Sequence, residues 1–194
     1  MKKLYIVFII FISSFIINAK GDKNPLVLIK TEMGNIEVEI FQNKAPVSAE
    51  NFLKHVDDGV YKNSYFYRTV TPDNQPYNDV KIEVIQGGIL DKADAFPPIN
   101  HETTKETGIL HLDGTISYAR NEPGTATTEF FICIGNQPEL DYGGRRNPDR
   151  QGFAAFGRVV KGMNIVHEIH KQPAEKQMLK PKIKIFNIER LKQG

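Results

Sequence analysis

The stretch TEFFICIG, residues 128–135, places an acidic side chain inside an otherwise apolar run. Side chains on a strand alternate between its two faces, so Glu129 shares a face with Phe131 while Phe130 points the opposite way. A carboxylate on the face of Phe131 argues against a strand that is buried on both sides. We therefore expect this face to line a groove on the protein surface, with an apolar floor beside a charged group.

The other reactive side chains show no pattern typical of covalent or metal chemistry. Cys133 is the only cysteine, which excludes an internal disulfide, and an apolar strand would raise the pKa of its thiol and hide it. His167 and His170 have the spacing of one helix face, but no third ligand is evident. We therefore predict a buried, inert cysteine, structural or solvated histidines, and no metal site.

The elements that must position these residues begin with a hairpin and a helix. After Pro25, two strand-like runs separated by Met33-Gly34-Asn35 predict a β-hairpin. The segment APVSAENFLKHVDDG, residues 45–59, has apolar residues at helical spacing and predicts an amphipathic helix. A second helix is predicted in GMNIVHEIHK, residues 162–171.

Short apolar runs separated by glycine, proline and asparagine recur along the rest of the chain and predict further strands. They are SYFYRTV, VKIEVIQGG, GTISYA, EFFICIG and GFAAFGRVV. The last run, PKIKIFNIERL, changes phase at Phe186, which predicts a bulge or a strand buried on both sides. The regular spacing favours a sandwich or a barrel, so the fold class is mainly β with two helices.

The net charge and the N-terminal residues limit which partners and which cellular location can be expected for the protein. With 25 basic and 23 acidic residues the 194-residue chain has a net charge of only +2, which gives no electrostatic case for nucleic acid or an anionic membrane. Two lysines, an apolar run from Leu4 to Ile17 and then Ala19 are typical of a secretory signal peptide. The run is shorter than the roughly 17 to 25 residues that span a bilayer.

We therefore predict a signal peptide over residues 1–19, with an uncleaved anchor as the alternative. The mature protein is expected to be periplasmic or secreted, with no stable membrane insertion after the signal is removed.

Three stretches resemble the cyclophilin family of peptidyl-prolyl cis/trans isomerases: YFYRTV at 65–70, VIQGG at 84–88 and YARNEPGTATTEFFICIG at 118–135. APVSAENFLKHVDDGVY and ELDYGG…QGFAAFGRVVKGM support the resemblance, and all five occur in the family's order. The similarity covers roughly residues 26–192, which we predict to be one domain of the exported bacterial type. It implies a closed eight-stranded antiparallel barrel capped by two helices, with a shallow groove for prolyl peptides on its outer surface.

The resemblance also implies which residues form the site. Arg68 matches the family's catalytic arginine, and Gln86 matches the glutamine of the Gln-Gly-Gly motif. The predicted substrate-binding residues match the pocket floor, its walls or the backbone segment that receives the peptide: Val84, Ala119, Arg120, Glu129, Phe131, Leu140 and Phe153. Neither a cofactor nor a metal is implied.

Two departures from the family pattern concern the charge of this site. Glu83 stands where the family usually has phenylalanine, so either one pocket wall is polar or the loop Thr71–Lys81 supplies that wall, for example through Tyr77. Glu129 stands where glutamine is usual, and could orient the guanidinium of Arg68 or hold it away from the prolyl nitrogen. The basic loop RRNPDR, residues 145–150, is predicted to be a solvated insertion, with the alternative that Arg145 and Arg146 set preferences for client proteins.

Rotation about an X-Pro bond breaks no covalent bond, so catalysis requires only that the twisted imide be bound better than either planar form. Arg68 would donate a hydrogen bond to the lone pair that twisting leaves on the prolyl nitrogen. The expected partners are proline-containing peptides and unfolded exported proteins, with a monomeric enzyme. The alternative is a cyclophilin-fold chaperone or peptide-binding module with little isomerase activity, motivated by Glu83 and Glu129. A small-ligand carrier is a remoter possibility.

Overall fold

Nine strands form one sheet in the computed structural model, which describes residues 23–192. The strands are β1 Leu26–Thr31, β2 Gly34–Ile40, β3 Ser64–Val70, β4 Val84–Gly88, β5 Thr115–Tyr118, β6 Phe130–Cys133, β7 Ala154–Lys161, β8 Ala174–Glu175 and β9 Met178–Arg190. The helices are α1 Pro46–Asp57, α2 Thr104–Thr107 and α3 Met163–His170. The predicted signal peptide lies outside the described residues.

The sheet closes into a barrel. Its strand order is β1-β2-β7-β5-β6-β4-β3-β9, every neighbouring pair is antiparallel, and β9 pairs with β1. The two-residue β8 pairs only with β9 and forms a hairpin outside the closed ring. The prediction of a closed eight-stranded antiparallel barrel is therefore confirmed.

Alternating apolar side chains fill the barrel interior. On β2 the side chains of Ile36, Val38 and Ile40 are completely buried, as the alternation of isoleucine and valine with polar residues predicted. Helix α1 covers this core with Phe52 and Leu53, which lie on one helix face. These apolar side chains therefore pack against one another in the barrel core.

Several local predictions can be compared with the observed elements. The bulge predicted at Phe186 is confirmed, because Lys30 pairs with Asn187 and Thr31 with Ile185, which leaves Phe186 unpaired. The hairpin between β1 and β2 is also confirmed, but its turn is Glu32 and Met33, because Gly34 and Asn35, predicted to belong to the turn, already pair in β2. No helix among residues 23–192 is long and apolar enough to cross a bilayer.

Two local predictions were incomplete. Helix α2 was not predicted, although Thr103 and Glu106 form a capping box at its start. Strand β4 begins at Val84, whereas the apolar run predicted a strand from about Val80.

Candidate active site

Strand β6 separates the barrel interior from a second apolar cluster on the outside. Phe130 and Ile132 belong to the interior core, whereas Phe131 and Cys133 belong to the outer cluster. The outer cluster also contains Val70, Ile82, Val84 and Leu140, with Ala119 and Phe153 packed against it. The alternation predicted for this strand is observed. Cys133 is buried, and burial raises the pKa of its thiol.

The outer cluster is the floor of a groove of about 370 Å³. All nine predicted site residues line this groove: Arg68, Val84, Gln86, Ala119, Arg120, Glu129, Phe131, Leu140 and Phe153. Ile82, which was not predicted as a site residue, lines it as well, and so does Arg146, for which a role in client preference was only the alternative. The groove therefore combines an apolar floor with charged and amide side chains along its edge.

Two neutral amides hold the guanidinium of Arg68. Arg68 and Gln86 are paired across strands β3 and β4, just after a register shift at Tyr67. Arg68 Nη1 donates to Gln86 Oε1 at 2.8 Å, while Nε and Nη2 donate to Gln177 Oε1 at 2.9 and 2.5 Å. Three of the five N–H groups of the guanidinium are thus engaged within residues 23–192, and two remain able to donate to a ligand. Burial lowers the pKa of Arg68, and Tyr67 opposes this effect.

Glu129 acts on Arg68 only through intermediates. The hydroxyl of Tyr67 donates to Glu129 Oε2 at 2.5 Å, and Gln86 Nε2 donates to that hydroxyl at 2.7 Å. Burial, and after it the charge of Glu129, raises the pKa of Tyr67, which stays a phenol. No hydrogen bond or ion pair joins Glu129 directly to Arg68, so the suggested orienting role can act only through Tyr67 and Gln86. The carboxylate instead fixes Tyr67, which fixes the Gln86 amide with its oxygen towards Arg68.

Backbone groups of the chain after β4 complete the surroundings of Glu129. Its Oε1 accepts hydrogen bonds from the N–H groups of Ile89 and Leu90 at 2.8 and 3.0 Å. A Cβ at Gly88 would lie 2.3 Å from the same oxygen, so only glycine leaves room for the carboxylate. The second glycine of the Gln-Gly-Gly motif, Gly88, thus provides the space that the carboxylate of Glu129 occupies.

The wall expected at Glu83 is formed by Ile82. Ile82 and Val84 lie two residues apart, belong to the outer cluster and are 7% and 3% exposed. Glu83 points away from them, and its Oε2 lies 3.9 Å from Nε2 of His170. Tyr77 is fully exposed and does not line this groove. Both suggestions for this wall, a polar Glu83 or Tyr77, are therefore wrong, because Ile82, in the loop just before β4, is buried in the outer cluster instead.

The basic loop at residues 145–150 is built into the groove instead of being simply solvated. Arg120 pairs with both carboxylate oxygens of Asp149 at 2.8 Å, and its Nε donates to the carbonyl of Gly152 at 2.8 Å. Its guanidinium also lies 5.3 Å from the ring centre of Phe153. The side chain of Arg120 therefore holds the segment that carries the Phe153 wall. The N–H of Ala119 is engaged by the carbonyl of Glu129 at 2.8 Å.

A buried histidine supports the pocket floor and was missed by the sequence reasoning. The ring of His111 stacks on Phe131 with centroids 5.8 Å apart and an angle of 16°. His111 Nδ1 lies 2.7 Å from Asp141 Oδ1, and Nε2 lies 3.0 Å from Ser117 Oγ. Burial lowers the pKa of His111, and Asp141 partly offsets this. No group of three or more metal-ligating side chains occurs within residues 23–192.

Comparisons with known proteins agree with this geometry. The family model described as cyclophilin type peptidyl-prolyl cis-trans isomerase/CLD matches residues 26–190. A peptidyl-prolyl cis-trans isomerase of Acinetobacter baylyi is 32% identical over 191 residues, which cover 93% of each chain. Peptidyl-prolyl cis-trans isomerase A of Dickeya dadantii is 36% identical over 155 residues, covering 77% of this chain and 73% of that protein.

A solved structure shows the same fold. The crystal structure of a cyclophilin type peptidyl-prolyl cis-trans isomerase from Cryptosporidium parvum superposes with a TM-score of 0.71 at 20% identity, covering 88% of this chain and 99% of that one. A second crystal structure of that protein, in the presence of the dipeptide Ala-Pro, gives a TM-score of 0.69 at 21% identity.

Proposed function

The chain belongs to the cyclophilin-type peptidyl-prolyl cis-trans isomerase family, and on that premise we propose that it rotates X-Pro bonds in the groove that contains Arg68 and Phe131. The observation that carries this proposal is the guanidinium of Arg68, which is held by two neutral amides at the edge of an apolar floor and keeps two N–H groups for a ligand. The substrate class is proline-containing peptides.

Rotation about the imide bond meets a barrier of about 18–20 kcal/mol, which arises from amide resonance. Twisting removes the resonance and leaves a lone pair on the prolyl nitrogen. Arg68 donates to that lone pair in the twisted state and has no such acceptor in either planar state, so the interaction lowers the barrier. A hydrogen bond to a charged group contributes roughly 1.5–3 kcal/mol, which corresponds to a rate factor of about ten to a hundred.

The other groove residues hold the substrate while one part of it turns. Phe131, Val84 and Leu140 bury the proline ring, and Phe153 stands edge-on to Phe131 at 5.3 Å between ring centres. Gln86 Nε2 retains a second hydrogen that can anchor a substrate carbonyl, because Tyr67 takes only one. The donors are fixed before the substrate arrives, so little reorganisation is needed during rotation.

The alternative of a peptide-binding module with little isomerase activity loses its motivation in this geometry. It was suggested by Glu83 in the pocket wall and by Glu129 next to Arg68. Glu83 lies outside the groove, and Glu129 bonds to Tyr67 and to backbone N–H groups. Neither carboxylate contacts the guanidinium.

The proposal extends to where and on what the enzyme acts. The signal-like residues 1–19 support an exported enzyme, periplasmic or secreted. Its proposed substrates are exported proteins during folding, and its proposed oligomeric state is a monomer. Cell fractionation with and without residues 2–19, followed by gel filtration of the released protein, tests location and oligomeric state. Retention of the full-length chain in the cytoplasm would contradict the export part.

The activity is tested with a protease-coupled assay on a short X-Pro peptide. We expect Arg68→Ala to lower kcat/KM by about tenfold or more, because the donor to the prolyl nitrogen is lost. The matched control is Arg158→Ala, which removes an exposed arginine of β7 that pairs with Glu39 of β2 at 3.0 Å, and neither strand lines the groove. The proposal fails if the wild type matches buffer, or if both variants match the wild type.

A further inference from the structure

A second groove adjoins the first and is not explained by the proline pocket. It has a volume of about 870 Å³ and lies between the loop Thr71–Lys81 and the hairpin of β8 and β9. Arg68 and Arg146 line both grooves. A polypeptide whose proline occupies the outer cluster can therefore continue past these two arginines into the second groove.

The charges along the second groove are unbalanced. Arg68, Arg146 and Lys176 supply three cations, and Asp73 is the single carboxylate among the described residues that line it. Exposed Tyr77 and Met178 add apolar surface beside these charges. The groove thus offers positive charge next to a surface on which an extended chain can lie.

Arg146 is held by neutral groups and has no carboxylate partner within residues 23–192. Its Nη1 donates to Gln75 Oε1 at 2.8 Å and to the carbonyl of Val80 at 2.6 Å. Its Nε and Nη2 are left to face a ligand. Burial lowers the pKa of Arg146, and the charge of Arg68 lowers it further, so the two guanidinium groups are close enough to repel each other. An anion at this corner would relieve that repulsion and gain charge-assisted hydrogen bonds.

We propose that Arg146 and the second groove form a specificity subsite that selects an aspartate or glutamate near the proline of the substrate. The proposal rests on the proposed function in one respect, since the acidic residue belongs to an X-Pro substrate. The segment at Ala119 lies at the other end of the first groove, so the preferred acidic residue lies on one flank of the proline only.

The test uses matched peptides that differ in one residue, glutamate or glutamine, at the first, second or third position on either side of the proline. Both kcat/KM and the peptide Kd are measured at low salt. We expect the wild type to prefer the glutamate peptide by about five- to tenfold at one flank, and the preference to shrink in 0.5 M salt. Equal values at every position would overturn the proposal.

Variants at neighbouring arginines make the test specific. Arg146→Gln is expected to abolish the preference, Arg146→Lys to retain part of it, and Arg146→Glu to favour a lysine peptide instead. Arg145→Gln is the control. It removes the same charge at the neighbouring residue, whose exposed side chain pairs with Glu139 at 3.0 Å. Arg145→Gln should keep the wild-type preference, and an equal loss in both glutamine variants would contradict a specific role for Arg146.

Different measurements would contradict the acidic-residue subsite and the proposed isomerase function. Absence of turnover on the neutral peptides would count against the isomerase proposal, whereas the Kd difference between glutamate and glutamine peptides would still decide the subsite. Full turnover on neutral peptides without any effect of glutamate would leave the isomerase intact and refute the subsite. Thermal unfolding of each variant shows whether the loop anchored by Arg146 has kept the fold.

Discussion

Glu129 accepts hydrogen bonds from both side-chain hydroxyl and backbone N–H groups, and this decides what its replacement would do. One carboxylate oxygen accepts from the Tyr67 hydroxyl, and the other accepts from the N–H groups of Ile89 and Leu90. A glutamine has only one acceptor oxygen, and its NH₂ group meets a donor wherever it is placed. The acidic residue is therefore required by its neighbours, whatever its effect on the charge of the groove.

We expect Glu129→Gln to lower the free energy of unfolding by about 1–3 kcal/mol, because at least one buried donor loses its acceptor. We also expect a lower kcat, since a displaced Tyr67 releases the Gln86 amide that holds Arg68. Urea unfolding and steady-state kinetics measure the two effects. Glu83→Gln, at a carboxylate outside the groove, should leave both unchanged. Wild-type stability and kcat in Glu129→Gln would contradict this role.

Site residues could be predicted where they belong to a short sequence motif. They could not be predicted where the folding of a loop brings them to the site. The nine predicted residues that line one groove come from short stretches with fixed spacing, such as VIQGG. Ile82 was missed because it lies in the loop before β4, where no strand alternation indicates whether it or Glu83 faces the pocket. Gln177 was missed because it reaches Arg68 from 109 residues away in the sequence, and no local pattern marks that contact.

At the scale of elements, the hairpin of β8 and β9 helps to position Arg68, although β8 has only two residues. Its turn places Gln177 so that the side-chain oxygen accepts from Arg68 while Nε2 donates to the carbonyl of Asn74 at 3.0 Å. The backbone of Gln177 accepts from the N–H of Thr69 at 2.9 Å. The hairpin therefore fixes both the Arg68 side chain and the loop beside it.

We expect Gln177→Ala to lower kcat by about tenfold while KM changes little, because Arg68 is still present but is no longer held in place. Gln177→Glu, which keeps an acceptor for Arg68, should recover part of the rate. Gln172→Ala removes an amide that donates to the carbonyl of Glu168 in the same region and serves as the control. A KM effect without a kcat effect would instead assign Gln177 to substrate binding.

The elements were more predictable than their contacts. Strands β3 and β6 and helix α1 follow directly from apolar spacing, and the phase change at Phe186 located a bulge. The start of β4 was less predictable, since Ile82 is apolar and buried but lies in the loop that Gln75 organises by bonding to the carbonyl groups of Thr71 and Ile82. The spacing of apolar residues indicates which side chains are buried. A buried apolar residue in a loop gives the same sequence pattern as one in a strand, so the pattern does not locate the strand end.

At the scale of the whole molecule, buried histidines couple stability to pH. Burial lowers the pKa values of His55, His101 and His111 from the ordinary value of 6.5. The unfolded chain therefore binds more protons than the folded one below about pH 6.5, so the stability that these histidines contribute is present above that pH and lost as pH falls. His111 is only 1% exposed and lies beneath the pocket floor.

We expect the free energy of unfolding to fall between pH 7.5 and pH 5, and His111→Gln to reduce that slope even if it lowers stability at pH 7.5. Urea unfolding at several pH values gives the slope. An unchanged slope in His111→Gln would show that the other histidines account for the pH dependence.

The pairing of β1 with β9 brings the two ends of the barrel chain side by side. Val27 pairs with Arg190, and the N–H of Leu191 donates to the carbonyl of Leu26 at 2.8 Å. A short linker could therefore join these ends, and new ends could be opened in an exposed turn such as the one at Gly59. A fusion partner attached at either end would leave the barrel from the same seam, which pairs with none of the groove strands β4, β5 and β6 and meets β3 only through the other edge of β9.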